Sequence, residues 1–480
     1  MKIAPKKSLF ALLSVAAAAL TLLPAAYAED ASDESSAVSS AAPELVEGET
    51  FTDEILTYNK AEGGVYITAC SINATSVSIG GEIDGYRILG IYDGAFAERD
   101  KLRSVEISDE VSYIGTSAFA SCELLESVKL PSGITEIPAQ CFAACSSLKD
   151  LEIPDTVESI GAYAFSYCDN LSGLEIPESV RSVEDYAFAY SNLGDSLKLW
   201  EGLETLGSMS FYYCRGIKNV SIPASLTSIG SLSFLGCEDL ERFEVSPDSL
   251  YFKETDGILY SKDETILEIF PMGKNLTDFT IPDSVQYIPS GAFFDNPFLE
   301  NIVMPDSVEA VGEAAFSNCT ALKSITLSSK LTELPGSIFC DCSSLKSIEI
   351  PQNVTTIGDY AFLECTSLKS VTIPDGVEAI GEYALGFTDD DDGEFHRLDG
   401  FEIKANYETA ARKYAKSNRI SIEYLDGNKD LPYIITLIVV GVIAVAAISV
   451  ISVILIRNKK KRDELSLIHI SEPTRLDVIS

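Results

Sequence analysis

The sequence predicts a solenoid of about 12 coils of 23 residues, each built from a short parallel strand and a 3-10 or short helical segment. Two rows of residues carry this prediction, and both recur every 23 residues with one interruption. The first row, the cysteine ladder, is Cys122, Cys145, Cys168, Cys214, Cys237, Cys319, Cys342 and Cys365, with Ser191 and Asn296 in two of its slots. The second row, the phenylalanine ladder, is Phe96, Phe119, Phe142, Phe165, Phe188, Phe211, Phe234, Phe293, Phe316, Phe339 and Phe362.

The unit 345–367 shows how one coil is built. It begins with apolar residues in the alternation of a short strand, and Pro351 then ends the hydrogen-bond ladder. Val354 and Ile357 form a second inward ridge, and a 3-10 or helical segment begins at Phe362 and the alanine before it. One coil cannot bury these residues alone, so neighbouring coils must share a continuous core.

Both ends of the chain have the composition of targeting or anchoring segments. Residues 1–28 combine a basic start, an apolar run and an Ala-Tyr-Ala cleavage site, as in a secretory signal peptide; an N-terminal anchor is the alternative. Residues 433–456 are uncharged and long enough to cross a bilayer, and a basic cluster follows at 457–462. The expected location is the cell membrane, with one pass, an extracellular N-terminal part and a cytoplasmic C-terminus.

The sequence divides into ten segments. They are a signal peptide (1–28), an acidic Ser/Ala-rich leader (29–50), an N-terminal strand cap (51–78), a first array (79–245), an irregular insert (246–275), a second array (276–387), an acidic loop with a C-terminal cap (388–427), a transmembrane helix (433–456), a basic cytoplasmic tail (457–464) and a final stretch (465–480). We interpret residues 465–480 as a translated sequencing adaptor. Within the insert, the pattern predicts a strand pair at 257–260 and 265–269.

The repeat pattern LxSVxIPxSVxxIGxxAFxxC resembles the BspA-like leucine-rich repeat, the Treponema pallidum type, over about residues 79–387. Segments 65–86 and 408–424 resemble the usual entry and closing elements of that family. The resemblance implies a bacterial cell-surface protein that adheres to host or matrix proteins or to other cells. Two alternatives remain: a single-pass sensory receptor with a further cytoplasmic part, and a structural envelope protein.

The cysteine ladder admits three interpretations: packed thiols, disulfides and a metal site. Ligands strung along an axis do not converge on one metal ion, and Ser191 and Asn296 favour a buried polar slot. We therefore predict packed thiols. Cys141 and Cys340 lie off the ladder and are the candidates for disulfides, since the predicted compartment is oxidising.

Composition leaves little room for catalysis or for nucleic acid. The chain has 2 His, and 35 Lys and Arg against 73 Asp and Glu, a net charge of −38 that disfavours phosphate partners. No catalytic motif occurs, and we predict no enzyme activity and no cofactor. A weak calcium candidate places Asp390, Asp392 and Asp399 in an EF-hand-like loop, but the first ligand position and the preceding helix are wrong, so a solvated acidic loop is favoured.

The remaining candidate site is the outward face of the strands, where an extracellular protein or glycan ligand would bind. Alternation points one residue per strand outward, charged in the first half and mostly Ser or Thr in the second. The ligand-face candidates are Glu106, Lys129, Glu152, Glu175, Lys198, Trp200 and Glu349. Trp200 stands where most coils have Pro, and it is either local filler or an exposed aromatic anchor.

Overall fold

The computed structural model describes residues 43–46, 49–390, 393–427 and 431–468. The predicted signal peptide, most of the leader and most of the adaptor stretch lie outside these residues. Within them the chain forms the predicted leucine-rich-repeat solenoid, followed by one long apolar helix.

Most coils contribute to two rows of parallel strands, and paired residues in the arrays are 23 positions apart, as in Val105 with Val128. The strands of the first row, the face strands, are β7 (Ser104–Ile107), β9 (Ser127–Lys129), β11 (Asp150–Glu152), β14 (Ser196–Lys198), β16 (Asn219–Ile222), β18 (Arg242–Val245), β22 (Asp278–Thr280), β24 (Asn301–Val303), β26 (Ser324–Thr326), β28 (Ser347–Ile348) and β30 (Ser370–Thr372). The second row is β8 (Tyr113–Ile114), β10 (Glu136–Ile137), β12 (Ser159–Ile160), β13 (Ser182–Val183), β15 (Thr205–Leu206), β17 (Ser228–Ile229), β23 (Tyr287–Ile288), β25 (Ala310–Val311), β27 (Glu333–Leu334), β29 (Thr356–Ile357) and β31 (Ala379–Ile380).

Strands of different pairing close the N-terminal end of the array. They are β1 (Thr50–Thr52), β2 (Leu56–Ala61), β3 (Gly64–Cys70), β4 (Ser76–Ile79), β5 (Glu82–Ile83) and β6 (Tyr86–Ile91). β1, β2 and β3 are antiparallel, whereas β3 pairs parallel with β6 and β4 pairs parallel with β7. The antiparallel strands therefore cover an edge that would otherwise expose unpaired backbone groups.

The C-terminal end is closed by a hairpin, two further strands and a helix, in agreement with the closing elements expected from the sequence. The strands are β32 (Phe387–Asp389), β33 (Phe395–Arg397), β34 (Glu402–Ala405) and β35 (Ser421–Tyr424), and the helix is α1 (Ala410–Asn418). The hydroxyl of Tyr414 on α1 donates to the backbone carbonyl of Leu385 at 3.1 Å. A second helix, α2 (Leu431–Ile468), contains a 25-residue stretch, Thr436–Lys460, apolar and long enough to cross a membrane.

The segment predicted to be a 3-10 or short helix is instead a series of hydrogen-bonded turns. Two residues per coil, two before and two after the ladder phenylalanine, adopt left-handed backbone conformations, as at Ser117 (φ 55°) and Ser121 (φ 58°) around Phe119. Left-handed residues interrupt a right-handed helix. Their amides instead bond to the next coil, as from Ser121 to the carbonyl of Ala143 at 2.7 Å.

The core is a continuous stack of phenylalanine rings within each array. Phe119 and Phe142 lie 5.4 Å apart at 5°, and Phe188 and Phe211 lie 5.4 Å apart at 2°. The ladder rings are almost fully buried. Burying a large apolar side chain contributes about 2–3 kcal/mol, so this repeated stack is a main source of stability.

Each ladder cysteine links its own coil to the phenylalanine of the coil before. The thiol of Cys145 donates to the carbonyl of Phe119 at 3.1 Å, and Cys168 donates to that of Phe142 at 3.2 Å. The same bond is made from Cys122, Cys214, Cys237, Cys319, Cys342 and Cys365. Ser191 donates to Phe165 in the same way at 2.6 Å, which explains why serine can replace cysteine here.

All eleven cysteines, including Cys141 and Cys340, are buried free thiols in the structure, so neither disulfide candidate is paired. Burial raises the pKa of Cys122 to about 11 and that of Cys168 to about 12. A thiol with so high a pKa stays protonated at neutral pH, keeps its donor hydrogen and is a poor nucleophile.

The insert is an enlarged coil that belongs to the stack. It contains the antiparallel strands β19 (Phe252–Thr255), β20 (Ile258–Ser261) and β21 (Leu267–Ile269), so the predicted pair is present with one more strand. Phe270 stands 23 residues before Phe293, and their rings stack at 5.0 Å. Along β20, Leu259 packs in the core of the first array, while Ile258 and Tyr260 pack in that of the second.

Two carboxyl groups at this junction are held in apolar surroundings. Burial raises the pKa of Glu268, on β21, to about 7. Burial, and then the charge of Glu238, raise the pKa of Asp295 to about 7 against the lowering effect of Asn318. Since both folded-state values exceed the usual carboxyl pKa near 4, these groups stabilise the folded state at mildly acidic pH and lose that contribution as the pH rises through 7.

We predict that Cys145→Ala lowers the free energy of unfolding more than Cys145→Ser does, by about 1 kcal/mol. Alanine leaves the buried carbonyl of Phe119 without its side-chain donor, whereas serine restores the bond that Ser191 makes. Urea denaturation followed by circular dichroism measures the difference. Equal midpoints for the two variants would show that the thiol hydrogen bond contributes nothing.

We predict that the thermal midpoint of the protein falls between pH 5.5 and pH 8, and that Glu268→Gln with Asp295→Asn flattens this dependence. The amides mimic the protonated carboxyls and cannot ionise. Scanning calorimetry across this pH range provides the measurement, with Glu123→Gln as an exposed carboxyl control. A slope that the double variant leaves unchanged would contradict the assignment.

Candidate functional site: the strand face

The outward side chains of the face strands form two parallel rows, which together we call the strand face. The first row contains Ser104, Ser127, Asp150, Ser196, Asn219, Arg242, Asp278, Asn301, Ser324, Ser347 and Ser370. The second row contains Glu106, Lys129, Glu152, Glu175, Lys198, Ser221, Glu244, Thr280, Val303, Thr326, Glu349 and Thr372. Equivalent residues of neighbouring strands lie about 4.8 Å apart, so each coil position becomes a continuous row.

The first row is short, polar and internally hydrogen-bonded. The hydroxyls of Ser76 and Ser104 lie 2.8 Å apart, and the amide of Asn301 donates to Asp278 at 2.9 Å. Ser324 then donates to the side-chain oxygen of Asn301 at 2.7 Å. These side chains are ordered by one another and are short enough to leave the sheet surface accessible.

The first half of the second row carries charges of both signs. The ammonium of Lys129 lies 2.9 Å from the carboxylate of Glu106 in the adjacent strand, and Lys129 is also in register with Glu152. The hydrogen bond that Lys129 donates to Glu106 raises the pKa of Lys129. Exposed pairs of this kind contribute little to stability, so their main effect is on the surface potential.

The second half of the row is largely uncharged. Thr280, Val303 and Thr326 lie side by side in three paired strands, and Val303 is 45% exposed. The centres of protein interfaces are depleted in charged residues. This part of the strand face therefore has the composition of an interface centre, and the charged half that of its rim.

Six of the seven ligand-face candidates are exposed in the structure: Glu106, Lys129, Glu152, Glu175, Lys198 and Glu349. Glu175 and Glu349 lie just outside regular strands, and no face strand forms at 173–176, which splits the first array's sheet between β11 and β14. The candidate set contains charged residues but no member of the first row. The same alternation that turns Glu106 outward also turns Ser104 outward, so this signal was present in the sequence.

Trp200, the seventh candidate, is only 6% exposed and is not a surface anchor. Its ring nitrogen donates to the carbonyl of Val180 at 2.6 Å. Ser328, another residue in a slot usually filled by Pro, donates to the equivalent carbonyl of Val308 at 2.6 Å. The side chain in this slot thus fills space and bonds to the preceding coil, which corrects its assignment to the ligand face.

The described ends of the acidic loop adjoin the antiparallel pair β32 and β33. The carboxylate of Asp390 accepts from the backbone amide of Glu394 at 2.9 Å and lies 2.8 Å from the ring nitrogen of His396. The hydrogen bond from Asp390 raises the pKa of His396. Asp392 lies outside the described residues, and within them no three His, Cys, Asp or Glu side chains are grouped as a metal would require.

Comparison with known proteins identifies the repeat. The profile of the BspA type leucine rich repeat region matches in six copies over residues 89–215, 158–255 and 267–389, more than half of the chain. The chain belongs to this family. Leucine-rich-repeat proteins of this type are generally binding scaffolds rather than enzymes. None of the curated proteins matches the chain.

Solved structures of bacterial leucine-rich-repeat proteins share the fold. A leucine rich cell surface protein from Faecalibacterium prausnitzii is 29% identical, with a TM-score of 0.59 over 78% of this chain and 97% of that one. A leucine-rich repeat protein from Bacteroides ovatus is 25% identical, with a TM-score of 0.53 over 78% and 99%. The pneumococcal vaccine antigen PcpA, at 20% identity and a TM-score of 0.54 over 78% and 98%, shows similarity of fold alone.

We predict that Trp200→Phe lowers the free energy of unfolding by about 1–2 kcal/mol and leaves ligand binding by the strand face unchanged. Phenylalanine keeps most of the buried ring but cannot donate to the carbonyl of Val180. Denaturant unfolding measures the first effect and a binding titration the second. Lost binding in a variant of unchanged stability would restore Trp200 to the ligand face.

Proposed function

We propose that this BspA-type repeat protein is a cell-surface binding protein that presents the strand face to an extracellular protein or glycan. The observation that carries the proposal is the strand face itself, an ordered, exposed and repetitive surface along the array. Repetition suits a ligand that is itself extended, because many weak contacts in series add up to a firm attachment. An adhesive role in contact with host, matrix or neighbouring cells follows from such a surface.

Anchoring by α2 supports this location. The 25-residue candidate span Thr436–Lys460 contains an 18-residue apolar window with a mean hydropathy of 3.0, and basic residues follow the apolar part. Basic flanks mark the cytoplasmic side of membrane helices. Together with the N-terminal signal pattern, these basic residues support an orientation with the array outside the cell.

Within the strand face, we place the contact centre at Thr280, Val303 and Thr326. These side chains are β-branched, lose little rotamer freedom on binding and require no desolvation of charge. The charges of both signs from Glu106 to Lys198 form the rim and act on the rate and selectivity of encounter rather than on affinity. The charged candidates therefore orient the ligand, and the uncharged stretch holds it.

The test begins with the full chain in detergent micelles on an array of matrix proteins and glycans. We expect at least one ligand, and Val303→Lys to weaken its binding at least tenfold, because the introduced charge must lose its water at the interface centre. Leu250→Lys is the matched control, since Leu250 is an exposed aliphatic residue (75%) in the insert, away from the face strands. Its binding should equal that of the unmodified chain.

Equal weakening by both lysine variants, or by neither, would contradict binding through the strand face. An array without any ligand would favour a structural role in the envelope. A ligand bound through this face by a chain with a long folded cytoplasmic region would favour the sensory receptor instead.

A further inference from the structure

In each coil, the turns that follow the second-row strand form a second surface, which we call the turn face. It is built from twelve successive coils that begin after residue 114, and from each coil it takes the eight residues that end at the cysteine-ladder slot; all of these octets except 266–273 contain left-handed residues. These octets are 115–122, 138–145, 161–168, 184–191, 207–214, 230–237, 266–273, 289–296, 312–319, 335–342, 358–365 and 381–388. The octet of the coil before them, 92–99, ends in Arg99 and is not included. The strand face carries the proposed adhesive function; the turn face is separate from it.

The turn face carries no positive charge. None of the twelve octets contains Lys or Arg, whereas the acidic residues in them are Glu184, Asp185, Glu268, Asp295, Glu313, Asp341, Asp359, Glu364 and Glu382. The strand face, in contrast, includes Lys129 and Lys198 among its acids. The basic residues of the array thus lie outside these octets, so the charged side chains that the turn face does carry are all acidic.

Tyrosines of three successive coils form a stacked patch on the turn face. Tyr163 stacks on Tyr186 at 4.8 Å, Tyr167 stacks on Tyr190 at 4.6 Å, and Tyr190 stacks on Tyr213 at 5.5 Å. All five residues are at left-handed positions, with φ between 51° and 60°. We call these five residues the tyrosine patch.

A buried layer beneath the patch holds the rings in place. Tyr212 is buried and meets Tyr190 edge-on at 5.2 Å, and it packs in one cluster with Met209, Leu235 and Phe294. Gly236 leaves room for the ring of Tyr213, because a Cβ atom there would lie 2.4 Å from that ring. The patch is therefore a preorganised aromatic platform.

The fold does not require tyrosine at these positions. Ser117 and Ser121 occupy the equivalent positions two coils earlier with the same left-handed backbone, and Leu232 occupies one of them later. Bulky residues are uncommon in this conformation, where Gly, Asn and Asp are favoured. Yet Tyr163 and Tyr167 are 39% and 49% exposed, so much of each ring faces solvent rather than core.

Acidic groups border the patch. Asp185 lies beside Tyr163 and Tyr186, and the pKa of each phenol is raised by burial and by this carboxylate. On the other side, Asp295 and Glu238 act in the same way on Tyr213. In the described part of the chain, Lys60 and Arg412 lie over other tyrosines, Tyr86 and Tyr407, but no cation covers the patch.

We propose that the tyrosine patch is a docking site for a cationic polypeptide segment, whose Lys or Arg side chains lie over the tyrosine rings and between the bordering carboxylates. Cations are attracted to the negatively polarised faces of aromatic rings. Alternate side chains of an extended segment lie on the same side about 6.7 Å apart. Long, flexible Lys or Arg side chains can adjust this spacing to that of the rings, which lie 4.6–5.5 Å apart. A second copy of this chain is a poor occupant, because two negative turn faces repel each other.

The probe is a fluorescent peptide of alternating arginine and serine, ten residues long, with a glutamate–serine peptide of the same length as its counterpart. Fluorescence anisotropy with the full chain in detergent micelles should show binding of the arginine peptide alone. Tyr167→Leu combined with Tyr190→Leu should weaken it about tenfold, and the corresponding Phe variants should keep it, because phenylalanine retains the aromatic face.

Tyr251→Leu is the matched control, since Tyr251 is also 49% exposed but lies in the insert, and binding should not change. Circular dichroism tests whether the leucine variants are folded. We expect them to fold, because Leu232 already occupies an equivalent left-handed position in a later coil. Binding that is absent, or equal in the leucine variants and the unmodified chain, would overturn the proposal. Self-association of the chain alone that the leucine variants abolish would assign the patch to a second copy and would also overturn it.

Discussion

The hydrogen bond from each ladder slot to the phenylalanine carbonyl of the coil before sets the period of this protein. It ties position i to position i − 26 in nine of the ladder slots, for example Cys319 to Phe293. A coil of another length would separate donor from acceptor and also unstack the rings, as the insert does between Phe234 and Phe270. Buried polar groups require hydrogen-bond partners. This bond therefore links the 23-residue period to the stacked phenylalanine core and to the residue type in the ladder slot.

The same constraint creates the two surfaces. Two left-handed residues per coil let the chain turn within eight residues and direct its backbone amides toward the next coil. The left-handed conformation costs about 1–2 kcal/mol for each residue that is not glycine. Stacking then converts every coil position into a row. When neighbouring coils share a substitution, such as Tyr in place of Ser near a ladder phenylalanine or Thr in place of Glu in a face strand, the result is therefore an extended surface with distinct chemistry.

The insert shows how the array accommodates a departure from its period. Phe270 keeps its place in the ring stack, and β20 contributes side chains to both cores, so the two arrays are joined through packing. The junction differs from the regular coils in holding two carboxyl groups, Glu268 and Asp295, in apolar surroundings. Glu268 lies in the irregular coil and Asp295 in the coil after it, so both groups belong to the junction between the two arrays.

The sequence by itself determined the repeat, its strands, the buried ladders and the outward alternation, because each depends on a period that is visible in one dimension. It also indicated why serine can stand at position 191. Only the tertiary structure showed that Trp200 is buried, that left-handed turns replace the expected helical segments, and that Tyr163, Tyr186 and Tyr213 lie on one surface. These depend on which side chains of different coils face each other, and that is settled by packing between coils.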